Sequence, residues 1–67
     1  MTNRELIIEL RKAGNIEMPV HTADSTFHIL VQKSDLISQL EDLPKNDQAG
    51  WAFYQTHADG TRRLDMA

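Results

Sequence analysis

The sequence predicts an α+β fold: one small domain in the order α-β-β-α-β-β, with a mostly antiparallel sheet and two helices packed on one face. Three observations lead there. Apolar residues recur at helical spacing in two segments, 3–13 and 34–43. Period-two apolar patterns fill the stretches between and after them. Two turn-forming clusters, Thr22-Ala23-Asp24-Ser25 and Asp59-Gly60, split those stretches into hairpins.

Taken in order, Thr2-Asn3-Arg4-Glu5 fits a capping box, a Thr N-cap with Glu three residues on. Leu6, Ile7, Leu10 and Ala13 form one helical face. Arg11 and Lys12 suit the negative end of the helix dipole, and Gly14 suits a left-handed C′ position. The first helix is therefore expected over Asn3 to Ala13. Ile16, Met18 and Val20 then alternate with Glu17 and Pro19. This is a short strand, expected at a sheet edge because Pro19 cannot donate to a ladder. It pairs with Thr26–Val31 as a hairpin.

The stretch Thr26 to Pro44 holds half of the chain's leucine, isoleucine and valine residues, 7 of 14, and organises the reading. Phe27, Ile29 and Val31 share one face of a strand. Leu30 on the other face points to cover on both sides. Ser34 stands where an N-cap belongs, and Asp35 adds negative charge to the first turn. Leu36, Ile37, Leu40 and Leu43 make the buried helical face, and Pro44 stops the helix. Residues 44–50 are polar and bounded by Pro and Gly, a loop. Trp51 to His57 reads as a strand. A two-residue type I′ turn at Asp59-Gly60 would pair Ala58 with Thr61, His57 with Arg62, Gln55 with Leu64 and Phe53 with Met66. Trp51, Phe53, Leu64 and Met66 would then share the core face, and Tyr54, Thr56, Arg63 and Asp65 the other. No residue-level repeat exists, although helix-plus-hairpin occurs twice.

A chain of 67 residues buries a modest core. It has no cysteine, which excludes disulfides and thiolate metal sites. No apolar run is long enough to span a bilayer, and the N-terminus does not read as a signal peptide, so a cytoplasmic location and no membrane partner are expected. Net charge is −3. Residues 1–33 balance four basic against four acidic side chains; residues 34–67 carry three against six. That deficit argues against nonspecific nucleic-acid binding and for a basic protein partner.

Candidate sites are weighed against ordinary structural roles. His21, His28 and His57 lack second ligands at metal-binding spacing, so no metal or other cofactor is expected. His57, Arg62 and Asp59 would suit acid–base chemistry on a phosphate, but a polar hairpin tip is the better reading, and no enzymatic activity is expected. Arg62 and Arg63, with Trp51 and Tyr54, would suit nucleic-acid contact by the hairpin Trp51–Met66. Alternation, however, sends the two arginines to opposite faces. Glu41 and Asp42 oppose the helix dipole in the last turn; with Asp35 and Asp47 they form an acidic region open to a partner. Trp51 is assigned to the core and Tyr54 to the surface. The expected partner-binding residues are thus Asp35, Glu41, Asp42, Asp47, Tyr54 and Arg63.

The opening Arg4-Glu5-Leu6-Ile7-Ile8-Glu9-Leu10-Arg11-Lys12-Ala13-Gly14 resembles the first helix of the HicA-type messenger-RNA interferases, small toxins with a double-stranded-RNA-binding fold. In that family the catalytic His follows Gly-Ser on a strand. The resemblance would place it at His28, in Asp24-Ser25-Thr26-Phe27-His28, and covers about a third of the chain. The sequence departs from the pattern in three ways: the Gly-Ser-His core is absent, the chain is acidic, and a helix is expected after the second strand. RNA cleavage therefore stands as an alternative only, behind nucleic-acid binding. The leading expectation is a small acidic protein-interaction module, an accessory regulator or inhibitor of another protein. A homodimer is compatible with it, since a free strand edge invites pairing.

Overall fold

The computed structural model describes residues 1–67. The elements are α1 (Asn3–Lys12), β1 (Ile16–His21), β2 (Thr26–Val31), α2 (Lys33–Glu41), β3 (Trp51–Thr56) and β4 (Arg62–Met66), in the expected α-β-β-α-β-β order. The four strands form one mixed sheet in the order β2-β1-β4-β3. Both hairpins are antiparallel, and β1 joins β4 in parallel through Ile16↔Arg62 and Glu17↔Arg63. Leu6, Ile7 and Leu10 of α1, Leu40 of α2, Ile16 and Leu64 of the sheet, and Ala49 make one core. No helix is long and apolar enough to cross a membrane.

The capping box at α1 is present: Thr2 Oγ1 accepts from the Glu5 amide, and Glu5 Oε1 accepts from the Thr2 amide at 2.8 Å. The neighbouring free amides of the first turn are met by the loop after α2. Asn3 N donates to Asp47 O and Arg4 N to Lys45 O, while the buried Asn3 side chain donates to Pro44 O. Chain segments more than forty residues apart are thus tied at one helix end. The other end of α1 differs from expectation. Ala13 is an extended C-cap, and Gly60 is the one residue with positive φ, so Gly14 is not left-handed. The chain leaves α1 through the extended Ala13 and a bend at Gly14, made without a left-handed residue, before β1 begins at Ile16.

The Ser34 N-cap is also corrected. The α2 helix begins at Lys33 with Gln32 as cap and no side-chain cap bond, so Ser34 lies inside the first turn. The strand runs into the helix without a turn, and Gln32 O accepts from the Asp35 and Leu36 amides. Leu40 is buried and Leu36 and Ile37 are partly buried against the core, but Leu43 lies beyond the helix and is exposed. The unfavourable acid at the end of α2 is offset locally: Arg11 of α1 pairs with Glu41 at 2.8 Å, and Lys45 Nζ donates to Glu41 O.

Two sheet expectations are reversed. Pro19 is on β1, an interior strand, and β2 is an edge. The proline is tolerated because the parallel ladder to β4 stops at Glu17. Thr22 N bonds Ser25 O, and alternation from that pair makes Pro19↔His28 a non-bonded pair, so the missing amide proton would point to the vacant side. The β2 strand is not buried either: Phe27 is 47%, Ile29 43% and Leu30 64% exposed. The helices cover the sheet over Ile16 and Leu64, and the first hairpin projects past them.

The second hairpin has a longer loop than expected. His57 N donates to Thr61 O and Gly60 N to His57 O, leaving Ala58, Asp59 and Gly60 in the loop, with Gly60 at φ 90°. This is the three-residue arrangement, a tight turn closed by a left-handed glycine. The register shifts by one residue at the loop and by another at the irregularity between Phe53 and Gln55. The two shifts together restore parity. Trp51↔Met66 and Phe53↔Leu64 therefore still share a face, as expected, although the partners differ. Beyond the irregularity the expectation fails: Gln55 lies opposite Arg63 and Thr56 opposite Arg62, so Thr56 does not share the face of Arg63 and Gln55 does. Met66 ends that face and is exposed.

Candidate functional site

The site begins with the outer edge of β2. From the bonded pair Thr22–Ser25, ladder alternation turns the amides and carbonyls of Phe27, Ile29 and Val31 toward β1. Those of His28 and Leu30 point outward to no strand. Edge strands are usually blunted by lysine, proline or a bulge. Here no residue from Ser25 to Gln32 carries a formal charge, none is proline, and the β1–β2 register is unbroken. Phe27 and Ile29 face the helix side, beside the partly buried Val31 and Met18. Leu30 faces the other side. An open backbone edge is thus bordered above and below by exposed apolar side chains.

The opposite face of the sheet carries a polar cluster. Glu17 Oε1 lies 3.3 Å from Arg63 Nε and 3.2 Å from His57 Nε2. Arg63 Nη1 donates to Gln55 Oε1. The His57–Glu17 approach is not an aligned hydrogen bond, since Nε2 has no hydrogen-bond partner. Glu17, His57 and Arg63 border an open cleft of about 530 Å³ that also meets Asn15, Leu30 and Asp59. The Asp59 carboxylate accepts the Thr61 amide, and that bond holds its pKa below the usual carboxylate range. Glu17 and Arg63 neutralise each other, so the cluster fastens β1, β3 and β4 together and leaves no unpaired cation for a phosphate.

The expected partner-binding residues fall in three separate places. Asp35, Glu41, Asp42 and Asp47 lie on α2 and its exit loop; all are exposed, and only Glu41 has an ion-pair partner, Arg11. Tyr54 sits at the β3 irregularity, 63% exposed, with its hydroxyl donating to Met66 O. Arg63 belongs to the polar cluster. Arg62 does lie on the opposite face, its guanidinium 3.7 Å from the centre of the Phe53 ring and 3.3 Å from Glu9 of α1. Both hairpin arginines are therefore occupied by carboxylates. His57 does not face Arg62 as expected, because the longer loop sets it opposite Thr61. Trp51 packs against the core. His28 lies opposite Pro19 with no carboxylate in ion-pair reach. The α2 helix follows β2 directly, which is one of the departures from the interferase pattern.

Sequence reasoning missed Glu17, whose role depends on β1 lying beside β4, a contact between residues 46 positions apart. It also treated β2 as buried; the missing charge between Ser25 and Gln32 is equally the mark of an unprotected edge. No family model, curated protein or solved structure matches the chain.

Proposed function

We propose that this protein is a small interaction module that binds another protein chain by strand addition along β2. The observation that supports it is the edge itself: outward-pointing backbone groups at His28 and Leu30, with Phe27, Ile29 and Leu30 each more than two-fifths exposed. Strand addition takes affinity from main-chain hydrogen bonds and specificity from flanking side chains, and β2 offers both. Exposed apolar patches of this kind mark interaction sites. The acidic region of α2 has a subordinate part. Asp35, Asp42 and Asp47, unpaired within the chain, favour approach of a basic surface and set the salt dependence of its arrival. A module of this kind acts by occupying its partner, as an accessory regulator or inhibitor does.

The test is capture from native host lysate with the tagged protein, with and without nuclease. A discrete protein that survives nuclease and is lost with Leu30→Lys supports the reading. The combined Asp35→Lys and Asp42→Lys variant should slow association without abolishing it. Capture that disappears with nuclease, or that is indifferent to Leu30→Lys, overturns it.

A further inference from the structure

Resting on that reading of β2 as the interaction surface, we propose that the chain it takes is β2 of a second copy. The two strands would run antiparallel about a two-fold axis at Ile29, giving one continuous eight-stranded sheet.

Four features select this occupant. First, parity: a two-fold axis perpendicular to the sheet keeps each residue on its own face, so residue numbers across the seam must add to an even total. Centring on Ile29 opposes Ile29 with Ile29 and Phe27 with Val31. All of these lie on the helix side and are exposed or half-buried in one copy. Aromatic and β-branched residues set opposite each other are favourable cross-strand pairs.

Second, the hydrogen bonds agree with that register. His28 and Leu30 carry the outward-pointing groups, and they oppose each other across the axis as a bonded pair. Ile29 then faces its mate at the closer, non-bonded spacing. Centring on His28 would instead oppose two imidazoles and leave Val31 beyond the apolar overlap.

Third, charge. Each chain carries −3, so two copies repel on net, and a contact is favoured where it brings few carboxylates together. The segment Ser25–Gln32 brings no carboxylate to the contact; the other edge, β3, is also uncharged, but its ladder is broken between Phe53 and Gln55, whereas that of β2 is regular. Its flanks are opposite in sign, Asp24 at one end and Lys33 at the other, and antiparallel pairing sets each beside the other's counterpart.

Fourth, the apolar faces become continuous. Phe27 and Ile29 project past the helices, and joining two hairpins at this edge sets each beside an apolar side chain of the other copy, which reduces the exposed apolar surface along the seam.

Mass is measured first, by sedimentation equilibrium across roughly 1 to 300 μM, where a micromolar strand-paired dimer assembles. The expected result is a rise to twice the 7.7 kDa of one chain. Ile29→Lys, which sets two ammonium groups against each other at the axis, should stay at the single-chain mass. Its circular dichroism should be unchanged, because the side chain is already 43% exposed. The absence of cysteine gives a register test. Ile29→Cys should cross-link on mild oxidation, since mates at a non-bonded pair stand about 4.5 Å apart and disulfides span about 4.4–6.8 Å. Phe27→Cys should not, because its mate lies some four residues, about 14 Å, along the seam. A single-chain mass throughout the range overturns the proposal, as does cross-linking of Phe27→Cys or His28→Cys in place of Ile29→Cys. A monomer that still captures a nuclease-resistant protein dependent on Leu30 would overturn the second copy as occupant and leave the interaction reading standing. A monomer that captures none would overturn both.

Discussion

Thr2 and Glu5 fix where α1 starts, each accepting the other's backbone amide. Thr2→Ala should cost about 1 kcal/mol in urea denaturation, the usual loss for a removed N-cap. The Glu5 pKa is lowered, chiefly by the Thr2 amide bond and then by its hydroxyl. A lowered native pKa means that the unfolded chain takes up the proton more readily. The contribution is therefore complete above the ordinary carboxylate range and lost as pH falls through that range to the lowered value. Asp59 acts in the same direction through the Thr61 amide. Replacing Glu5 with Gln should flatten the acid limb of a plot of stability against pH, and an unchanged limb would contradict the assignment. Gly60, at φ 90°, is the other residue whose identity is fixed by backbone geometry. Gly60→Ala has room for its methyl group but not the conformation, and should lose about 1–2 kcal/mol.

At the scale of elements, the second hairpin shows how a strand can be misregistered and still point the right way. The loop moved the pairing by one residue and the irregularity at Tyr54 moved it by another, so Phe53 and Leu64 reached the core together. The two arginines that follow the loop have different duties. Arg62 stacks over Phe53 and reaches Glu9, joining the hairpin to α1; Arg63 joins it to β1 through Glu17. Arg62→Ala should lower stability by roughly 1–2 kcal/mol. Arg62→Lys should restore only part, because an ammonium lacks the planar stacking surface. Equal stability of Arg62→Lys and the parent protein, measured by thermal melting, would exclude the stacking contribution. At the C-terminus of α2, Arg11 and Lys45 answer an acid that helix electrostatics alone disfavour.

For the whole molecule, seven buried apolar residues carry the core, three of them on α1. The organising element is therefore α1 and not the strand–helix stretch that the aliphatic density suggested. A domain of this size has total stability of only about 3–10 kcal/mol, and a buried leucine truncated to alanine costs about 2–5 kcal/mol. Leu10→Ala should accordingly leave much of the chain unfolded at room temperature by circular dichroism. Leu30→Lys, on the open edge, should change the stability of the single chain, measured at concentrations too low for assembly, by less than about 0.5 kcal/mol. A melting temperature that rises with protein concentration is expected of the wild type and not of Ile29→Lys, since only an assembling chain gains stability by mass action.

Local chemistry alone determined the number, type and order of the elements, the α1 capping box and the bounds of the two strands of the β1–β2 hairpin. Each of these depends on residues close in sequence: a hydroxyl and an amide three positions apart, or a turn between adjacent period-two runs. The shared face of Trp51, Phe53, Leu64 and Met66 was legible for the same reason, but not the faces of Gln55 and Thr56 or the pairing partners, because turn length and the irregularity at Tyr54 are set by how the chain closes and not by the Asp-Gly pair alone. Strand order was decided by tertiary structure. The parallel contact of Ile16 and Glu17 with Arg62 and Arg63 crosses most of the chain. It made Pro19 interior, gathered Glu17, His57 and Arg63, and left β2 as the edge. The apolar pattern of β2 suits a strand covered on both sides and a strand awaiting a partner equally well. Which one it is depends on how far two short helices reach across a sheet, and they stop short of Phe27 and Ile29.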